Sequence, residues 1–137
     1  MASGEKPQSK FTEVQGINLH YLEWGESGKP DLLLVHGWTS FASSWSTVAE
    51  YFRGRFHIVA PDLRGHGESD KPQTGYRLRD FTEDVRRLIK NLELRKPAYV
   101  GHSWAVTSAR SWRRMRRILF RGPSLKIPYS GACSTLS

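Results

Sequence analysis

The residues best suited to chemistry in this chain stand in one short segment, Gly101-His102-Ser103-Trp104-Ala105. The segment nearly matches G-x-S-x-G, the pattern of a sharp strand-to-helix turn that presents a serine hydroxyl as a nucleophile. Such a hydroxyl attacks a carbonyl carbon effectively only when a base removes its proton and a third group orients that base. The 34 residues after Ser103 contain no Asp, Glu or His. The sequence therefore indicates nucleophilic catalysis, but the residues after the nucleophile do not supply the base.

The residues before Ser103 have the pattern of an α/β fold. Two short strands at 11–14 and 17–24 form a predicted hairpin. The apolar run at 31–35 is typical of a strand buried on both faces, and two more strands are predicted at 56–60 and 97–101. A short helix is predicted to end near Phe52, and a second covers 80–92. The second helix carries one apolar stripe, with charged residues on its other face. This alternation is typical of a mostly parallel sheet with flanking helices.

Three segments together resemble the α/β-hydrolase family. They are Leu33-Leu34-Val35-His36-Gly37-Trp38, the stretch from Val59 to Ser69 (VAPDLRGHGES), and residues 101–105. They look like the family's oxyanion-loop strand, the loop after the next strand, and the nucleophile elbow, in the same order. The resemblance covers residues 11–105, the N-terminal half of a usual member. The resemblance implies a domain truncated after the elbow. Residues 1–10 are polar and are expected to be a flexible N-terminus, and residues 106–137 are expected to be an atypical basic tail.

The resemblance assigns roles to three residues. Ser103 would be the nucleophile, and the backbone N–H groups of Trp38 and Trp104 would hold the developing oxyanion. Ala105 stands where the family usually has Gly. Haloalkane dehalogenases and epoxide hydrolases in this family use Asp as the nucleophile, so a serine favours acyl transfer on esters, thioesters, lactones or amides. This chemistry uses side chains and water, which implies no cofactor, and no metal-ligand spacing is present.

The histidines and one aspartate before Ser103 are predicted to be structural. The family's triad runs Ser, then acid, then His, whereas Asp62 precedes the serine and is expected to brace a loop. His20 and His57 alternate with apolar neighbours and are interpreted as ordinary strand positions. His36 and His66 are expected to be loop residues, and the His102 side chain should point away from the serine.

The charge of the chain is concentrated in its tail. The net charge is +8 at pH 7, yet all 13 acidic residues precede residue 104, and residues 104–137 carry seven Arg and Lys. A basic amphipathic tail could bind anionic lipid or nucleic acid. The favoured interpretation is that residues 106–137 are frameshifted or misspliced, so no nucleic-acid partner is expected. The alternatives to an enzyme are a non-catalytic fragment or pseudoenzyme and a basic-tail binding protein.

The remaining expectations concern location and partners. The first residues contain no signal-peptide-like apolar stretch, and Cys133 is the single cysteine, so a cytoplasmic location is expected. No apolar run reaches the length of a membrane span. The partner of the complete enzyme would be a small-molecule substrate. Residues 98–100 would form an open sheet edge, through which the chain could self-associate.

Overall fold

The computed structural model describes residues 5–101, which form one five-stranded sheet flanked by two helices. The elements are, in chain order, β1 (Gln8–Val14), β2 (Ile17–Trp24), β3 (Asp31–Val35), a 3₁₀ turn (Ala42–Trp45), α1 (Ser46–Phe52), β4 (His57–Pro61), α2 (Leu78–Asn91) and β5 (Ala98–Gly101). Apart from the start of β1, these bounds agree with the predicted elements to within two residues.

The hairpin of β1 and β2 begins earlier than the sequence suggested. Gln15 and Gly16 both have positive φ, as a type I′ turn requires, and this turn sets the register Val14↔Ile17. Pairing continues to Gln8, and Lys10 Nζ lies 2.6 Å from a Glu23 carboxylate oxygen. Residues 8–10 therefore belong to the sheet, and the expected boundary after residue 10 moves to just before Gln8.

The sheet is mixed, with the order β1-β2-β4-β3-β5. Strands β3, β4 and β5 are parallel, and β2 pairs antiparallel with both β1 and β4, so four of the five described strands share one direction. β3 and β4 are apolar on both faces because helices cover both. Leu33 and Val59 pack with α2 on one face, whereas Leu34 and Ile58 pack with α1 on the other.

Helix α2 confirms the predicted apolar stripe and adds a buried charge to it. Phe81, Val85 and Leu88 are buried in the core, as the periodicity predicts. Asp84 shares this face, with 0% exposure, although charged residues were expected on the opposite face. Its carboxylate is tolerated there because it forms an ion pair with the buried Arg64.

One edge of the sheet is formed by β5, which pairs with β3 alone among the described strands. Among residues 5–101, no helix is long and apolar enough to cross a membrane. His102, Ser103, Trp104 and the expected tail at 106–137 lie outside the described residues.

Candidate active site

The three segments of the predicted site meet at one edge of the sheet. Val35 pairs with Gly101 and Leu33 pairs with Val59, so β3 lies between β4 and β5. Because parallel strands end at the same edge, the loops after Val35 and Pro61 open beside the end of β5. Of the three predicted site residues, Trp38 is described, whereas Ser103 and Trp104 follow the last described residue.

His36 fastens the loop after β3 to the loop after β4. Its Nε2 accepts a hydrogen bond from the Leu63 N–H at 3.0 Å, so the ring proton is on Nδ1, which donates to Gly37 O at 2.7 Å. Burial lowers the pKa of His36, which keeps the imidazole neutral. These contacts give His36 the structural role that the sequence predicted.

Trp38 and Thr39 shape the predicted oxyanion loop. The Trp38 ring meets the Phe81 ring edge-on at 5.5 Å and lies 5.8 Å from the His66 ring, while the residue is 53% exposed. Thr39 has a φ of 62°, a left-handed conformation that is unfavourable for a β-branched residue. The loop therefore carries backbone strain directly after the residue whose N–H is predicted to face the oxyanion, as is common near functional sites.

Asp62 joins the loop after β4, in which it lies, to the segment that follows β3. Its Oδ1 accepts the Ala42 N–H at 2.7 Å, and its Oδ2 accepts the Glu68 N–H at 3.1 Å and lies 2.6 Å from His20 Nδ1. Gly67 allows this close packing, because a Cβ at that position would lie 2.3 Å from the Asp62 carboxyl carbon. The carboxylate thus braces these loops, as expected from its place before Ser103.

His20 and His57 are more than ordinary strand residues. Both are buried, and each contacts carboxylates: His20 meets Asp62, while His57 Nδ1 lies 2.7 Å from Asp31 and its Nε2 contacts Glu23. Burial lowers the pKa of His57, but its hydrogen bonds with the two carboxylates outweigh that effect and raise the pKa above its usual value. The sequence alone does not reveal either cluster, because the carboxylates that contact these histidines come from other strands and loops.

The described residues of the candidate site are the loop after β3, which holds Trp38, and the contacts of His36 and Asp62 that brace it. Among residues 5–101, no group of three or more His, Cys, Asp or Glu side chains could hold a metal ion.

Comparison with known proteins identifies the family to which this chain belongs. A family model for the α/β hydrolase fold matches residues 30–107, and the chain belongs to that family. It is 41% identical over 96 residues to a soluble epoxide hydrolase of Corynebacterium sp. (strain C12). That match covers 70% of this chain and 33% of the relative.

Solved structures share the same architecture. An epoxide hydrolase from Vigna radiata superposes with a TM-score of 0.71 at 30% identity, covering 76% of this chain and 34% of that one. The thioesterase domain from the curacin biosynthetic pathway superposes with a TM-score of 0.72 at 29% identity, covering 78% and 41%. The chain thus spans about a third of the length of the curated relative.

Proposed function

We propose that this chain carries the nucleophile half of a serine hydrolase that acts on ester-like carbonyl substrates. The observation that supports this most is the parallel pairing of Val35 with Gly101. This register brings the end of β5, two residues before Ser103, beside the loop that begins at His36. A nucleophile and an oxyanion loop must be neighbours for acyl transfer.

The proposed reaction proceeds in two steps. Ser103 Oγ attacks the substrate carbonyl carbon, and the backbone N–H groups of Trp38 and Trp104 stabilise the oxyanion. The leaving group departs with the proton that a base removed from the hydroxyl, and water then hydrolyses the acyl-serine.

Epoxide hydrolysis is the competing reaction, favoured by the name of the Corynebacterium relative. A carboxylate that opens an epoxide forms an ester, which water can cleave. A serine that opened an epoxide would form an ether, which water does not cleave under the same conditions. Ser103 therefore supports acyl transfer, and the name of the thioesterase neighbour is consistent with that chemistry.

The base is the missing component of the proposed site. No Asp, Glu or His follows Ser103 in this sequence, so we expect the 137-residue chain to be inactive as a hydrolase by itself. The favoured explanation is that residues 106–137 are frameshifted or misspliced. One alternative is a non-catalytic fragment or pseudoenzyme. The other is a basic-tail binding protein, whose binding to anionic lipid or nucleic acid would be salt-sensitive and would disappear when residues 106–137 are deleted.

Two further proposals concern the environment of the chain. The single Cys133 favours a cytoplasmic location. The outer position of β5 in the described sheet supports self-association through that edge. A monodisperse monomer in sedimentation analysis would contradict the self-association.

The nucleophile can be tested by supplying the missing base from solution. The chain is treated with a fluorophosphonate probe with and without imidazole, and the adducts are mapped by mass spectrometry. Ser103 and Ser108 fall in the same tryptic peptide, residues 96–110, so Ser108 is an internal control. We expect imidazole to accelerate labelling of Ser103 but not of Ser108, with no adduct at position 103 in S103A. Equal labelling of both serines would favour the non-catalytic alternative.

A further inference from the structure

A second Ser–His–Asp arrangement lies away from Ser103, between the hairpin and the loop after β4. Ser9 Oγ is 2.7 Å from His20 Nε2, and His20 Nδ1 is 2.6 Å from Asp62 Oδ2. The atoms connect in the order used for serine activation, with the acid on Nδ1 and the hydroxyl on Nε2. We propose that Ser9 is a second nucleophilic serine of this chain, acylated by activated esters with His20 as its base.

Burial divides this cluster into a fixed part and an accessible part. The side chains of His20 and Asp62 are each 5% exposed, whereas Ser9 lies on the exposed outer strand β1. The Ala42 and Glu68 N–H groups hold the Asp62 carboxylate in place. The imidazole is therefore oriented by a fixed acid, while the hydroxyl is open to reagents.

A cavity next to Ser9 offers room for a small substrate. It has a volume of about 340 Å³ and is lined by His20, Leu22, Phe41 and Ala42, among others. This volume is near the lower end of the range for ligand pockets, about 300–1,000 Å³. The apolar side chains of Leu22 and Phe41 suit a short alkyl or aryl ester rather than a charged substrate.

The proposed reaction consumes the ester and one water molecule. Ser9 Oγ bonds to the ester carbonyl carbon as its proton moves to His20 Nε2, and the bond to the leaving oxygen then breaks. His20 returns the proton to the departing alcohol or phenol. Water attacks the acyl-Ser9 with His20 again as base, which releases a carboxylic acid and restores the hydroxyl.

Glu68 opposes this reactivity. Its Oε2 lies 3.1 Å from the same Nε2, on a side chain that is 67% exposed. The Glu68 carboxylate and the Ser9 hydroxyl therefore compete for contact with the same imidazole nitrogen. Removal of this carboxylate should therefore make Ser9 more reactive.

The test uses the 137-residue chain carrying S103A, treated with a fluorophosphonate probe without imidazole. Ser9 falls in tryptic residues 1–10, separate from 96–110, and fragment ions distinguish it from Ser3. We expect an adduct on Ser9 that is absent in S9A and at least about tenfold slower in H20N, since a positioned base contributes 10² or more. S27A, which alters an exposed serine outside the cavity, should label normally.

E68A tests the proposal without changing the buried His20 side chain. It should label Ser9 several-fold faster than the S103A parent. Labelling of Ser9 no faster than that of Ser3, or a Ser9 rate unchanged in E68A, would overturn the proposal. Because this test uses the S103A chain, and Ser9 and Ser103 lie in different tryptic peptides, failure at Ser9 is distinguishable from failure at Ser103.

Discussion

The buried ion pair between Arg64 and Asp84 gives the sharpest stability prediction. Arg64 Nε and Nη2 donate to the two Asp84 oxygens at 2.5 and 2.7 Å, and Nη1 donates to Gly75 O at 2.6 Å. Arg64→Met removes all three bonds and leaves a carboxylate with 0% exposure, contacted by Gln15 Nε2 at 2.7 Å. Because an unpaired buried charge is costly, we expect a loss of about 3–5 kcal/mol in the free energy of unfolding.

The assay is urea unfolding followed by tryptophan fluorescence. The double variant R64M/D84L replaces both charges with apolar groups and should unfold within about 1 kcal/mol of the wild type. The matched surface control is Arg86→Met, whose guanidinium pairs with Glu83 at 2.6 Å but is 57% exposed, and its loss should be far smaller than that of R64M because solvent screens the pair. A loss of unfolding free energy in R64M no larger than that in R86M would show that the buried ion pair contributes no more than a surface pair.

Three further predictions concern the loops and the hairpin. Gly67→Ala should lower the free energy of unfolding by at least about 2 kcal/mol in urea, because the new Cβ would meet the Asp62 carboxyl group. The control is Gly16→Ala, which also has a positive φ (+75°) but open space around it and should lose only about 1 kcal/mol. Equal losses in the two variants would contradict a steric clash at Gly67. Because the pKa of His57 is raised in the folded protein, protonated His57 stabilises the fold. This contribution is fully present below the pKa of the unfolded chain, about 6.5, and is lost as the pH rises through the higher pKa of the folded protein. The unfolding free energy of the wild type should therefore fall relative to H57Q across that window, and parallel pH profiles would count against it. Thr39→Gly should raise the unfolding free energy by about 0.5–1 kcal/mol because relief of strain exceeds the entropy cost of glycine; a loss would show that the loop is unstrained.

The order of strands and helices can be predicted from the sequence because each apolar pattern lies within one short segment of the chain. The apolar runs at 31–35 and 57–61 and the stripe from Phe81 to Leu88 each identify a buried face without knowledge of neighbours. The same patterns placed the three motif loops at the ends of parallel strands. That placement follows from strand direction alone.

Contacts between distant segments could not be predicted in the same way. Asp84 is a charged residue at a core position, and its partner Arg64 lies 20 residues earlier in a loop. The carboxylate partners of His20 and His57 depend on the register of β2 against β4 and on the path of the loop after β4. The early start of β1 depends likewise on pairing with Glu23 rather than on strand propensity at residues 8–10.

We propose that this family member is built around a serine nucleophile whose base is encoded outside the reading frame of residues 106–137. The most direct test is to sequence the transcript from codon 95 to well past the stop codon and to translate all three frames. We expect another frame or splice form to continue the domain and to encode an Asp and then a His. If no frame does so, Ser103 has no conventional base and the hydrolase proposal is contradicted.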